Sequence, residues 1–316
     1  MDNYLISVVI PVYNEGKQIY KNIHTVNKIL SDNNINHEFI LVDDGSRDNT
    51  WEEMRNLSSI LSNLCALKLS RNFGKEAALC AGLEAAQGDA CIVMDSDLQH
   101  PPEIIPEMVR LWRDEGFDVV EGVKSSRGKE SLKNKIGALL FYNVLKKMSG
   151  FDLNGASDFK LLDSRVVSAW GNMKERNTFF RAMSAWVGFK RTSVSFEVAE
   201  RTEGTSKWSI IRLFKLAITA ITSFSSLPLQ LVTLMGMLFL AGSFILGVQT
   251  LYMKFRGIAV SGFTTVILLQ LIIGSTLMIS LGIIGTYIAR IFDEVKFRPR
   301  YIVSEKVKTE KAKVNS

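Results

Sequence analysis

Ala90-Cys91-Ile92-Val93-Met94-Asp95-Ser96-Asp97-Leu98-Gln99-His100-Pro101-Pro102 is the stretch that decides how this chain is read. It opens as a short apolar run of β type, stops at two aspartates one residue apart, and meets two prolines that bar further extension. Asp95 and Asp97 therefore stand just past the carboxyl end of a buried strand, where open α/β sheets bind their ligands. Two hard oxygen donors so close together suit Mg²⁺ or Mn²⁺ shared with substrate phosphates. Alone, an Asp-x-Asp reads more readily as a solvated turn, since turns favour aspartate. The surrounding sequence shifts the balance.

Upstream, the same layout recurs. Leu5-Ile6-Ser7-Val8-Val9-Ile10-Pro11 is a continuous apolar run, as in a strand buried on both faces. The loop Val12-Tyr13-Asn14-Glu15-Gly16 follows, then a helical pattern to about Leu30. Phe39 to Val42 is a second strand, ending in Asp43-Asp44-Gly45-Ser46-Arg47-Asp48-Asn49-Thr50, with Asp48 or Asn49 placed to cap the next helix. Ala66 to Ser70 is a third. It leads through Arg71-Asn72-Phe73-Gly74-Lys75 into an alanine-rich helix that Gly88 is expected to close. Pro101 and Pro102 start another helix, and Asp118 to Gly122 is a further strand. This alternation predicts a parallel sheet with polar strand ends along one edge. Glu15, Asp43, Asp44, Asp95 and Asp97 gather there, and crowded carboxylates need a cation or hydrogen-bond donors.

Beyond this core, Ser131 to Ser149 reads as a lysine-rich helix, and Gly155 to Leu162 as a loop entering a strand, with Asp158 at the junction. Thr178 to Met183 is expected to be helical, and Thr192 to Ala199 alternates as an outer strand does. Arg201, Gly204, Ser206 and Lys207 have the composition of a phosphate grip, or of a flank touching lipid headgroups.

A hydrophobic content of 47% with 22% charged residues hides a division within the 316 residues. Ser209 to Ser226 has the spacing of an interfacial amphipathic helix. Leu229 to Met253 and Thr264 to Ala289 are each long enough to cross a bilayer at about 20 residues per span. Lys254 and Arg256 mark the hairpin turn, while Arg201, Lys207, Arg212, Lys215, Arg290, Lys296, Arg298 and Arg300 lie on the other side. That bias places the soluble domain and the C-terminus in the cytoplasm, on an integral membrane protein with two spans. The expected division is a catalytic domain over 1–207, the interfacial helix over 208–227, the transmembrane hairpin over 228–290 and a cytoplasmic tail over 291–316, lysine-rich and disordered after Tyr301. The net charge of +6 points to an anionic membrane surface, and no interleaved aromatic and basic motif points to nucleic acid. Cys65, Cys80 and Cys91 form no Cys-x-x-Cys pair, so zinc and redox roles are not expected. No basic n-region precedes the first apolar run.

Taken together and in order, Val9 to Glu15, Asp43 to Ser46, Arg71 to Lys75, Asp95 to Gln99 with Pro101-Pro102, Ser157-Asp158-Phe159, and Arg201 with Gly204 to Lys207 resemble family 2 glycosyltransferases. The resemblance is to the polyprenyl-phosphate branch, which includes dolichyl-phosphate mannose synthases and bactoprenol glucosyltransferases. It implies a glycosyltransferase-A fold, Rossmann-like with a mostly parallel sheet, followed by the interfacial helix and two transmembrane helices. It also implies that Pro11, Tyr13, Glu15, Asp43, Asp44, Lys75, Ser96 and Gln99 bind a nucleotide-sugar, that Asp95 and Asp97 hold Mg²⁺ or Mn²⁺, and that Asp158 is catalytic. Arg127, Arg201, Ser206 and Lys207 would hold the donor and acceptor phosphates. The implied reaction is inverting transfer of a hexose, with UDP-glucose as the favoured donor, to undecaprenyl or another polyprenyl phosphate. UDP-GlcNAc, GDP-mannose and a modified pentose stay open as donors, and a non-catalytic flippase or assembly component is the reading from another class. Glycines in both spans allow close helix approach, and a homo-oligomer is expected by analogy.

Overall fold

The computed structural model describes residues 4–124, 157–173, 175, 180–181, 186–196, 227–257 and 262–308. These form two compact units, a sheet with its covering helices and a pair of apolar helices. The sheet is built outward from β1 (Ile6–Val12), which lies between β2 (His37–Asp43) and β4 (Ala90–Val93), parallel to both. β3 (Leu64–Leu69) pairs parallel with β2. The crossovers are α1 (Ile19–Asp32), α2 (Thr50–Ile60) and α3 (Lys75–Ala85).

β1 runs through Pro11 rather than stopping at it. Val9 accepts a hydrogen bond from Met94 N at 3.2 Å, so Pro11, two residues on, faces the same side. The pairing of β1 with β4 has already ended at Val93, so the N–H that proline lacks would have had no partner there. Strand alternation divides the core. Val8, Ile10 and Val12 face α1, α2 and α4 (Ile105–Glu115), while Val9, Ile40, Val42 and Leu67 face α3 and α5 (Ser164–Gly171). α4 follows a 3₁₀ turn over Pro102–Ile104, so the two prolines do open a helix.

The sheet departs from the simple parallel expectation at both edges. β5 (Val119–Lys124) does not join β4; β6 (Lys160–Asp163) is inserted between them, antiparallel to each. β7 (Arg191–Phe196) is the outer strand on that side. On the other side the stretch just after Tyr301, expected to be disordered, forms a strand. β8 (Val303–Lys308) pairs antiparallel with β3. Glu305 accepts from Trp51 Nε1 at 3.1 Å, and Ser304 Oγ donates to the Lys68 carbonyl at 3.1 Å. The lysines hid this strand because they alternate with Val303 and Val307 on a solvated edge. Gly88 does not close α3, whose C-cap is Ala86 in extended backbone. A Cβ on Gly88 would lie 2.6 Å from the Leu5 carbonyl oxygen and 2.7 Å from Ser7 N, so that glycine serves a close chain crossing.

The second unit consists of α6 (Leu227–Phe255) and α7 (Phe263–Val295), both long and apolar enough to cross a membrane. Neither carries a charged residue before Lys254 or Arg290 respectively. The hydroxyls of Thr233, Thr250, Ser275, Thr276, Ser280 and Thr286 each donate to a carbonyl four residues back, which satisfies them without water. α7 continues past Ala289 to Val295. The helices expected at 131–149 and 209–226, and most of that at 178–183, lie outside the described residues.

Ending the chain at Tyr301 removes β8 and bares the outer edge of β3. With a loss of about 2 kcal/mol, the melting temperature of the purified protein should fall by about 4–8 °C. An unchanged melting temperature would mean that β8 contributes nothing to the sheet.

Candidate active site

A cavity of 330 Å³ opens at the carboxyl ends of β1 and β4, where strand order reverses about β1. Four loops line it. The end of β1 and the loop after it give Pro11, Val12, Tyr13 and Glu15; the loop after β2 gives Asp44; the loop after β3 and the first residue of α3 give Asn72, Gly74 and Lys75; and the loop after β4 gives Asp95, Ser96 and Asp97.

The loops are fastened to one another by backbone donors. Ser46 Oγ accepts from Asn14 N and Asn14 Oδ1 from Arg47 N, both at 2.9 Å. Thr50 Oγ1 accepts from Glu15 N at 2.9 Å, and Asp48 Oδ2 from Gly16 N at 3.2 Å. Asn49 occupies the N-cap position of α2 without a side-chain bond, and it is Asp48 Oδ1 that accepts from Thr50 N at 3.1 Å. Asp44 spreads its two oxygens over Phe73 N and Gly74 N, at 2.8 and 2.9 Å. Gly45 makes this approach possible: its φ is +69°, and a Cβ there would lie 2.6 Å from Asn72 N. The loop after β4 is held from below by Asn22 Nδ2, which donates to the Ser96 carbonyl at 2.6 Å. It turns through Leu98 at φ +52°, an unusual conformation for a bulky side chain.

Topology brings Asp158 to the same place. Because β6 runs antiparallel to β4, Lys160 at its start pairs with Val93 at the end of β4. Asp158 and Asp95, each two residues beyond that pair, thus meet at one rim. Lys75 Nζ stands between them, 2.6 Å from Asp95 Oδ1 and 2.7 Å from Asp158 Oδ2. Arg181 holds Asp158 from the other side through Nε and Nη2, at 2.7 and 2.9 Å. The segment carrying Arg181 is itself anchored: Phe180 N donates to Glu76 at 2.9 Å, and the wholly buried Lys160 donates to the Arg181 carbonyl at 3.4 Å and to Glu121 at 2.9 Å.

Electrostatics separate the carboxyl groups. Burial pushes Glu15 upward, and Asp97 and Asp48 add to it. Burial also raises Asp43 and Asp44, against hydrogen bonds from Ser46 and from Phe73 and Gly74 respectively. Burial alone would raise Asp158, but Arg181 and Lys75 hold it well below the usual carboxylate range. Burial lowers Lys75, yet Asp158 and Asp95 outweigh it and keep the ammonium above its ordinary value. Glu76 is pushed up to about 7, chiefly by burial.

Of the residues singled out by sequence, Pro11, Tyr13, Glu15, Asp44, Lys75, Asp95, Ser96 and Asp97 line the one cavity. Asp43 lies buried beneath it, with Oδ1 accepting from Ser46 N at 2.9 Å and Oδ2 without a partner among the described residues. Gln99 is exposed outside the cavity lining, its N–H donating to Asp97 Oδ1 at 3.1 Å. Arg127, Arg201, Ser206 and Lys207 lie outside the described residues. Sequence reading missed Asn72, Glu76 and Arg181. Asn72 lies in the stretch Arg71 to Lys75 already singled out and Glu76 directly follows it, whereas nothing near Arg181 marks it as a partner for Asp158.

Among the described residues no group of three metal-ligating side chains occurs. The donor set nevertheless fits Mg²⁺ or Mn²⁺, which use one or two carboxylates and fill the rest of their shell from water and substrate phosphates. Glu15, Asp44, Asp95 and Asp97 face Lys75 alone among the charged groups lining the cavity, an excess of negative charge that a divalent cation would offset.

Glu76 generates a stability prediction. Its folded pKa lies above its unfolded value of 4.5, so it costs nothing at acid pH, and stability is lost as pH rises toward about 7. Glu76→Gln should match the wild-type unfolding free energy near pH 4.5 and exceed it at pH 8, by on the order of 3 kcal/mol. Thermal unfolding against pH checks this, and a constant offset would refute it.

The glycosyl transferase family 2 domain matches residues 7–162. The uncharacterized glycosyltransferase YkcC of Bacillus subtilis is 38% identical over 301 residues, covering 95% of this chain and 93% of that protein. The bactoprenol glucosyl transferase of Shigella phage SfV is 36% identical over 303 residues, covering 94% of this chain and 97% of that one. Among solved structures, glucosyl-3-phosphoglycerate synthase of Mycobacterium tuberculosis with Mn²⁺, UDP-glucose and phosphoglyceric acid matches at 22% identity with a TM-score of 0.46, over 70% of this chain and 78% of that one. The mostly parallel sheet has the glycosyltransferase-A arrangement, and by its relatives the chain belongs to glycosyl transferase family 2.

Proposed function

We propose that this glycosyltransferase moves glucose from UDP-glucose to a polyprenyl phosphate at a membrane face, with inversion at the anomeric carbon. The cavity's charge carries the reading. Four carboxylates and one ammonium line it, so an anionic diphosphate enters only together with a divalent cation. The lipid acceptor and the glucose are suggested by relatives named bactoprenol glucosyl transferase, which align over nearly the whole chain, apolar helices included. Lys254 and Arg256 follow the first apolar stretch, and Arg290, Lys296, Arg298 and Arg300 follow the second. On the positive-inside bias this supports a cytoplasmic catalytic unit and C-terminus.

In this mechanism Pro11, Tyr13 and Glu15 receive the nucleoside, with Asp43 and Asp44 shaping the pocket beneath. Asp95 and Asp97 would hold the divalent cation, whose chemistry is to stabilise the negative charge of the departing diphosphate. Arg127, Arg201, Ser206 and Lys207 are assigned to the donor and acceptor phosphates. The acceptor needs little deprotonation, because the second pKa of a phosphate monoester is about 6. Asp158 is correspondingly no proton acceptor: Arg181 and Lys75 occupy both of its oxygens. Its contribution is a fixed negative charge that orients those two cations at the rim.

Purified protein incubated with short-chain polyprenyl phosphate and labelled UDP-glucose, UDP-GlcNAc or GDP-mannose should carry label into the lipid phase from UDP-glucose alone. Label from another donor would replace the sugar assignment, and none from any donor would remove the activity. Asp158→Asn should lower kcat by about 100-fold or more through misplacement, with donor Kd nearly unchanged. Asp97→Ala should abolish Mn²⁺-dependent UDP-glucose binding in calorimetry.

A further inference from the structure

Lys75 is held in a position that its sequence context does not explain. As first residue of α3 it follows Gly74, whose φ is +99°, and Asp44 pins the two preceding N–H groups. Its ammonium is thereby set between a carboxylate from the end of β4 and one from the start of β6. The two are not held alike. Asp158 keeps a bidentate Arg181 whatever Lys75 does, whereas Lys75 is the cation paired with Asp95 among the described residues. Asp97, the neighbouring carboxylate, has no cation paired with it among the described residues and is exposed. A lysine is suited to exchange: a compact point charge on a flexible stem, it needs no fixed plane of donors as arginine does.

We propose that Lys75 is an exchangeable counter-cation, which neutralises Asp95 while the site is empty and cedes that carboxylate to the divalent cation arriving with the nucleotide. The inference rests on the metal assignment made above and adds a competition to it. Before binding, the ammonium keeps two carboxylates at one rim from repelling each other, and so keeps the loops after β4 and before β6 together. On binding, Lys75 retains Asp158, and its freed donor turns toward the anionic substrate. Arg181 does not exchange, because both of its described donors stay on Asp158.

The competition is measurable without turnover. Mn²⁺ binding to the full-length protein is followed by the electron paramagnetic resonance of free Mn²⁺, first with the metal alone and then with UDP. Lys75→Met removes the charge and keeps the stem, so it should bind Mn²⁺ alone about tenfold more tightly than wild type. Lys75→Arg keeps a cation at Asp95 and should stay within about twofold of wild type. Equal affinity of Lys75→Met and wild type, weaker binding by Lys75→Met, or equal tightening in both variants would each overturn the exchange. Wild-type protein that binds no Mn²⁺ even with UDP would instead sink the metal assignment itself, and the exchange with it. Circular dichroism of both variants shows whether the sheet is retained, and an intact sheet with unaltered Mn²⁺ affinity in Lys75→Met counts against the proposal.

Discussion

Carboxylates crowded at the end of a sheet must each find a cation, a set of donors or a reason to stay protonated, and most of this site follows from how they do so. Asp44 and Asp48 take backbone N–H groups, and in doing so fix the loops after β1, β2 and β3 against one another. Asp95 and Asp158 take cations, which ties the end of β4 to the start of β6. Glu15 and Asp43 are pushed toward the neutral form by burial. The cavity is what remains once these demands are met, so its shape and its charge have one origin.

The insertion of β6 between β4 and β5 is the second determinant. A purely parallel order would put every strand's start at the far edge, and a residue preceding a strand could not reach the site. Reversing one strand delivers Asp158, with Arg181 behind it, to the rim where the parallel strands end. The fully buried Lys160 in that strand is neutralised by Glu121 of β5, so the inserted strand also carries its own internal ion pair across the sheet. Burying such a pair costs desolvation, and breaking it would leave a charge stranded, so position 160 tolerates little change.

How far the sequence could be read depends on the range of the interaction. Apolar runs ending in Pro11, Asp43 and Asp95 report β1, β2 and β4 because burial on both faces leaves a local pattern. The cavity-lining residues follow from the same logic, since strand ends in a parallel sheet share an edge. What was not legible is nonlocal. The antiparallel direction of β6 has no signature in four residues, and the pairing of Arg181 with Asp158 depends on that direction. β8 was concealed for a different reason: alternation of valine with lysine on an edge resembles a solvated tail in composition. Gly88 misled because a glycine after a helix suggests a cap, whereas the demand here is steric, from the backbone of Leu5 and Ser7.

The late position of β8 has a consequence for how the protein is made. The edge it covers is complete once Leu69 leaves the ribosome, but its partner begins only at Val303, after both apolar helices have been synthesised. Throughout that interval β3 offers unpaired N–H and C=O groups to any extended segment nearby. Completion of the sheet is therefore timed by synthesis of the two apolar helices, and a nascent chain stalled before Val303 would leave that edge open to aggregation.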